Sequence, residues 1–365
     1  MLRTLIIGGY GNFGGYVARA LASDPRIQLI LAGRDGAKAE AAAKALHAAN
    51  PAEGIAFDLT GPRDGLVRHK PDLVINMVGP YHTQSYAAAE AAIAAGAHYC
   101  DIADAREFVC NIGELDAAAK AAGLAVIAGA SSVPALTAAY CDAALTQMAE
   151  LHSVEYGISG AEQANRGAGT VAAVLSYVGK PFTRLVSGEM KETIGWSDIH
   201  SVPIGELGGR WFGQGNVPDL ALFPERYPHL RNHTFWAGHE IAVLHWGTWA
   251  MSLLVRAGLL PRLDRFASQL SALSKLFNWM GRSRSGFFMN IKGVDAQGKP
   301  VTKHHTIVAR SGHGPIIPII PVILLARKFA AGEHIAPGAR PCLDLITLDE
   351  YRGEFADLDV SWSDA

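Results

Sequence analysis

The stretch Leu5-Ile6-Ile7-Gly8-Gly9-Tyr10-Gly11-Asn12-Phe13-Gly14-Gly15 decides how the chain is read. A short apolar run predicts a buried strand, and the pattern G-x-G-x-x-G at Gly9, Gly11 and Gly14 then opens a helical stretch, Gly14 to Ala22. In a turn of this kind Gly9 is expected to permit the tight bend, Gly11 to let backbone approach a pyrophosphate, and Gly14 to let helix and strand pack closely. The helix start adds amide donors and a positive dipole end. Tyr10, Asn12 and Phe13 fall between the glycines and join the candidate nucleotide contacts.

A second strand, Gln28 to Leu31, follows at the spacing of a βαβ unit and runs into Ala32-Gly33-Arg34-Asp35. An NAD-specific site usually carries a carboxylate at this strand end for the ribose hydroxyls. Here Gly33 is followed by Arg34, which removes the repulsive acid and offers a guanidinium to a 2′-phosphate. The pattern favours NADP over NAD. The other reading leaves Arg34 solvated and gives the ribose to Asp35.

Outward from this start, Ile55 to Phe57, Leu73 to Asn76 and Ala125 to Ala128 read as further buried parallel strands. Helical patterns lie between them at Ala37 to Ala48, Ser85 to Ala95 and Ile112 to Ala121. Alternation of this kind predicts an α/β fold with a Rossmann-type doubly wound parallel sheet. All seven Trp lie between Trp196 and Trp362, and this shift in composition marks a second domain. Phe287 to Val294 and Pro300 to Arg310 flank a Gly-containing turn, predicting a hairpin in a largely antiparallel sheet of an α+β domain that is not expected to extend further. Pro321 to Phe329 reads as a helix with Pro in its first turn, and Thr347-Leu348-Asp349-Glu350 as a capping box. The expected division is 1–135 for dinucleotide binding, 136–314 for substrate and dimerisation, and 315–365 as a helical segment returning to the first domain.

The 365 residues carry 49% hydrophobic and 18% charged side chains with net charge −2, a balance that gives nucleic acid no foothold. The chain enters its first apolar run without a charged leader, and Pro315 to Ala326 is too short and proline-broken to span a bilayer, so the expectation is a cytoplasmic protein. Cys100, Cys110, Cys141 and Cys342 are scattered, which fits reduced thiols. His229, His233, His239 and His245 cluster in sequence, but His239-Glu240 lacks the second His of H-E-x-x-H, so no metal is expected. Leu259 to Arg284 mixes Leu, Phe and Trp with Arg and Lys as an interfacial helix would, although packing on its own domain or a partner subunit is favoured. No nucleophile elbow supports hydrolysis.

Three stretches then resemble the saccharopine dehydrogenase-like NAD(P)-dependent oxidoreductases: Asp72 to Tyr81 with its N-x-V-G-P-Y, Ala95-Gly96-Ala97-His98-Tyr99-Cys100-Asp101, and Gly129-Ala130-Ser131-Ser132-Val133-Pro134. The resemblance implies hydride transfer with a nicotinamide cofactor and a homodimer through the second domain. It also implies that Met77, Val78, Gly79, Pro80 and Tyr81 line the ribose and nicotinamide, with Asp58 approaching the adenine. Pro134 at a helix start leaves amides near Ser131 and Ser132 suited to a carboxamide or carboxylate, or else marks an ordinary strand-to-helix turn.

Hydride transfer to C=N, C=O or C=C calls for a proton donor, for which Tyr81, Tyr99 and Asp101 are the candidates, with His82 a fourth. For Tyr99 and Asp101 the favoured reading is structural, as partners of backbone at the strand edge. Glu162, Asn165, Arg166 and Thr170 are candidates in the second domain, but no clamp of convergent Arg or Lys for an amino-dicarboxylic substrate is assignable. Substrate stays open between a small and a lipid-like molecule, the latter as an enoyl reductase would take, and a non-catalytic dinucleotide sensor or scaffold is the competing class.

Overall fold

The computed structural model describes residues 1–59, 61, 63–163, 167–260 and 262–364, apart from the side chains of 63, 64 and 168. The chain forms two compact units, Met1–Leu136 with Ile316–Tyr351, and Thr137–Pro315 with Arg352–Ala365.

In the first unit, β1 (Leu2–Ile7), β2 (Ile27–Gly33), β3 (Glu53–Ala56), β4 (Leu73–Asn76), β5 (His98–Asp101) and β6 (Ala125–Ala128) are joined by β15 (Gly338–Pro341). All seven pair in parallel, in the order β15-β6-β5-β4-β1-β2-β3. Helices α1 (Asn12–Ala22), α2 (Gly36–Ala45) and α3 (Ala87–Ala94) serve as crossovers. The order reverses at β1, so the crevice beyond the carboxyl ends of β1 and β4 is the switch point where open α/β sheets bind ligands. Leu5, Ile6, Ile30, Val74 and Ile127 are fully buried. β3 departs from its expected burial, because as an edge strand it pairs with β2 alone and leaves Glu53 and Ala56 exposed.

The final stretch is not one helical segment. The helix Ile320–Ala330 packs in the first unit, where Arg327 donates to the Ala20 carbonyl at 3.3 Å, and β15 extends the parallel sheet. The capping box forms: Thr347 Oγ1 accepts from the Glu350 amide, and the Glu350 carboxylate accepts from the Thr347 amide at 2.7 Å. From Arg352 onward the chain belongs to the second unit, which it supplies with β16 (Val360–Asp364).

The second unit centres on β7 (Glu150–Gly160). Around it lie β10 (His200–Pro203), β11 (Gly209–Gln214), β12 (Asn232–His239), β13 (Ser285–Val294) and β14 (Pro300–Ala309), in the order β10-β11-β12-β7-β13-β14-β16. Only the β12–β7 pair is parallel. The sheet therefore extends well beyond the expected hairpin, whose turn closes on Asp295 accepting from the Gln297 and Lys299 amides at 2.9 Å. Phe212, Phe288, Trp236 and Ile204 form a core on this sheet, and β8 (Pro181–Val186) with β9 (Glu189–Ile194) makes a separate hairpin.

Between β12 and β13 a helical excursion carries α5 (Ala242–Arg256) and α6 (Ala267–Ser274), the latter packed on α4 (Gly167–Tyr177). Its ends return to one place, since a β-carbon at Gly281 would lie 3.5 Å from Ile241 Cδ1. Of the two favoured readings for 259–284, packing on its own domain does not account for all its apolar residues: Leu259, Phe266, Leu273, Leu276 and Trp279 are exposed, Trp279 to 81%. Among the described residues no helix is long and apolar enough to cross a membrane, and the four cysteines form no disulfide.

Candidate active site

The glycine turn at the end of β1 is held by short backbone contacts. Gly8 N–H donates to Ala32 O at 2.7 Å and Gly11 N–H to Gly8 O at 2.8 Å. The left-handed residue is Gly8, at φ +78°, rather than Gly9 as the motif suggests. Gly9 is instead held to hydrogen by its neighbours, with Leu31 Cδ2 2.9 Å and Ile6 O 3.0 Å from where its β-carbon would stand. A β-carbon at Gly14 would lie 2.1 Å from Gly8 O, so α1 sits against the turn with no room for a methyl. Gly11 occupies the N-cap, no acidic residue stands in the first turn of α1, and no side chain caps it. Positive dipole end and bare backbone together make a cradle that fits a pyrophosphate.

Beside the cradle, the Tyr10 ring lies over Gly33, whose β-carbon would fall 2.4 Å from Tyr10 Cε1, and the Tyr10 hydroxyl accepts from the Asp35 amide at 3.1 Å. Asp35 itself caps α2. Its Oδ1 accepts from the Lys38 amide at 3.1 Å while Oδ2 pairs with Lys38 Nζ at 3.3 Å, and the cap holds its carboxyl below the usual range. Arg34 is exposed and has no side-chain partner among the described residues. Asp58 is exposed just past β3, beside the end of β2, where Phe57 N–H donates to Gly33 O at 2.9 Å.

The strand end of β4 is organised by Asn76, a residue the sequence reading passed over although it heads the N-x-V-G-P-Y run. Asn76 is fully buried; its Oδ1 accepts from the Val78 amide at 3.1 Å, and its Nδ2 donates to the Tyr99 hydroxyl at 3.3 Å. Gln84, also passed over, donates to the Val78 carbonyl. Met77 is anchored by its amide on Ile7 O at 2.9 Å, and Val78 packs beside Gly8. Gly79–Pro80 is a cis peptide. The run Met77–Pro80 is thus fixed across from the glycine turn.

Tyr81, Tyr99 and Asp101 stand inside the unit, exposed by 4%, 0% and 0%. The Tyr81 hydroxyl donates to Asn76 O at 2.8 Å, and burial drives both tyrosines well above the ordinary phenol range. Asp101 Oδ1 accepts from the Gly129 amide at 2.8 Å and the Ala103 amide at 2.9 Å. Burial pushes its carboxyl up to about 6 despite those amides. These groups tie β4, β5 and the turn after β6 together. Asp104, three residues beyond β5 and only half-buried, is raised by desolvation to about 6 as well; nothing in its sequence setting singled it out. Ser131 and Ser132 are buried in the turn after β6, where Ser131 O accepts from the Ala135 amide at 3.1 Å, and Val133–Pro134 is cis. His82 is half-buried on the turn after Pro80.

In the second unit Glu162 is buried, with its amide on Glu240 Oε2 at 2.9 Å, and Thr170 is half-buried on α4; Asn165 and Arg166 lie outside the described residues. His233 stacks on Phe223 at 4.9 Å and His229 is exposed beside Glu150 at 3.6 Å, while His239 and the fully buried His245 both pack on Trp196 with their ring centroids 6.2 Å apart. Among the described residues no group of three His, Cys, Asp or Glu side chains is placed to hold a metal.

Residues 4–127 match the family model of the saccharopine dehydrogenase NADP-binding domain. The chain carries a saccharopine dehydrogenase-like nucleotide-binding domain. That domain marks it as an NAD(P)-dependent oxidoreductase. The fold agrees: the apo saccharopine dehydrogenase (L-Glu forming) of Saccharomyces cerevisiae aligns over all of both chains with TM-score 0.67 at 15% identity. A meso-dapdh variant from Clostridium tetani E88 covers 96% of each chain at 13% identity and TM-score 0.49. An amine dehydrogenase of Mycobacterium smegmatis covers 94% of this chain and 95% of its own at 13% identity and TM-score 0.46. No curated protein matches the chain.

Proposed function

We propose that the protein uses NADP(H), with the 2′-phosphate on Arg34, to transfer a hydride to or from a C=N, C=O or C=C bond of a small or lipid-like substrate. The observation that carries the cofactor choice is the fate of Asp35. Its two oxygens serve the cap and Lys38, which leaves Arg34 as the exposed charge at the end of β2. A guanidinium there pairs a phosphate through two charge-assisted hydrogen bonds.

In this reading the bound nicotinamide supplies or takes the hydride. The protein's part is placement: the amides at the start of α1 hold the pyrophosphate, and Asn76 and Gln84 fix Met77–Pro80 along the ribose and nicotinamide. Tyr81, Tyr99 and Asp101 position the strand ends. Ser132 stands in the turn suited to a carboxamide, and Asp58 flanks the adenine. A homodimer in the cytoplasm belongs to the same reading, by resemblance to the family.

The test is direct. The protein should bind NADPH on the order of tenfold to a hundredfold more tightly than NADH, and Arg34→Glu should erase that preference. Equal affinities in the unaltered protein would sink the NADP assignment. Substrate-dependent NADPH oxidation across imines, keto acids, amino acids and enoyl esters separates an enzyme from a dinucleotide sensor, because a single compound turned over excludes the sensor.

A further inference from the structure

Helix α5 is folded inside out. Its buried face is made of His245, Thr248, Ser252 and Val255, set on β11 and β12; Thr248 Oγ1 donates to Leu244 O at 2.9 Å and Ser252 Oγ to Trp249 O at 2.6 Å, while both ring nitrogens of His245 are buried without a hydrogen-bond partner among the described residues. Burial lowers His245 to about 4, so it sits there neutral. The opposite face carries Val243, Trp246, Ala250, Leu253, Leu254 and Ala257, all exposed and spaced i, i+3, i+7, i+10, i+11, i+14 along one stripe. Beyond the helix the same excursion exposes Leu273, Leu276 and Trp279. An exposed apolar stripe along a helix, with further exposed Leu and Trp in the same excursion, marks a contact site.

Charge says what the contact is. Residues 242–284 hold six basic side chains, Arg256, Arg262, Arg265, Lys275, Arg282 and Arg284, against the single acid Asp264, while the chain as a whole carries −2. That acid is already taken by Arg262 at 2.8 Å. Arg256, Arg265 and Lys275 are exposed and enter no ion pair among the described residues. A second copy of the same face would bring like charge against like. Exposed Trp and Leu in one segment with exposed Lys and Arg suit a soft, anionic, apolar surface.

We propose that the excursion between β12 and β13 is a docking surface for anionic lipid membranes, seating the protein on a bilayer face without spanning it. This goes beyond the nicotinamide chemistry and does not depend on it.

Sedimentation with vesicles tests it, using phosphatidylcholine alone or mixed with phosphatidylglycerol. The full chain should pellet with the anionic vesicles at low salt, be largely released at high salt, and pellet at least about tenfold less with phosphatidylcholine alone. Leu276→Ser with Trp279→Ser, at exposed positions, should abolish pelleting while NADPH binding and circular dichroism stay unchanged. Arg265→Glu with Lys275→Glu should do the same with the apolar residues intact. The proposal is overturned if pelleting ignores vesicle charge, if either double variant pellets like the parent, or if light scattering shows a dimer that the serine variant splits into monomers.

Discussion

At the residue scale, the nucleotide cradle depends on hydrogen atoms where side chains would collide. Gly14→Ala places a methyl 2.1 Å from the Gly8 carbonyl oxygen, where the obstacle is backbone on both sides. Overpacking of this kind costs about 1–3 kcal/mol. The expected outcome is a lower melting temperature together with weakened NADPH binding, read by thermal denaturation with and without cofactor; an unchanged melting temperature would show that α1 can shift away. The motif pointed to Gly9, Gly11 and Gly14 because their spacing is local and visible. The left-handed conformation at Gly8 was not visible, since Gly8 lies outside the G-x-G-x-x-G spacing. Asn76 and Gln84 escaped notice for a related reason: their value lies in reaching the Val78 backbone and the Tyr99 hydroxyl, and the contact to Tyr99 crosses between strands.

At the scale of elements, strands and helices of the first unit were legible wherever a run of apolar residues met a capping signal. The last capping box is one such case. Thr347→Ala removes the acceptor of the Glu350 amide and should cost about 1 kcal/mol, measurable by chemical denaturation, with Thr347→Ser close to neutral. β3 and α5 show the limit of periodicity. A stripe tells that a helix has two faces, or a strand an inner side, but not which neighbours arrive to cover them. β3 received one neighbour where a central strand has two, and α5 turned its polar stripe to the sheet. No local rule says what covers an apolar face, so the sequence leaves the hydrophobic residues of 259–284 between their own domain and a partner subunit.

For the whole molecule, three buried or half-buried carboxyls govern the response to pH. Asp101 and Asp104 are raised to about 6 and Asp219 to about 7, in each case chiefly by desolvation. A carboxyl whose folded value lies above its unfolded value near 4 adds stability in its neutral form. That contribution is complete below about pH 4 and is lost as pH rises through about 6 to 7. Asp219 accepts from the Thr137 hydroxyl, a bond that Asn can also accept. Asp219→Asn should therefore flatten the decline in melting temperature between pH 5 and 8 relative to the parent, on the order of the values cited. Equal slopes in the two proteins would remove Asp219 from the account. The two-unit plan was partly legible from the Trp-rich shift in composition. The allotment of the tail was not, because β15 and β16 are four and five residues long and each is defined only by the distant strand it pairs with.

That tail has a consequence for how the protein comes into being. The parallel sheet takes its outermost strand, β15, and a covering helix from residues that leave the ribosome after residues 137–315 of the second unit have been made. A nascent chain therefore displays the phosphate cradle early, yet exposes one flank of β6 and the sheet face beneath the Ile320–Ala330 helix until residues 320–341 have emerged. During that interval the apolar excursion of the second unit is already out, and the unfinished sheet edge is a place for unwanted pairing. The cell's quality-control machinery would meet this protein as one whose first unit to be translated stays open while residues 137–315 are being made.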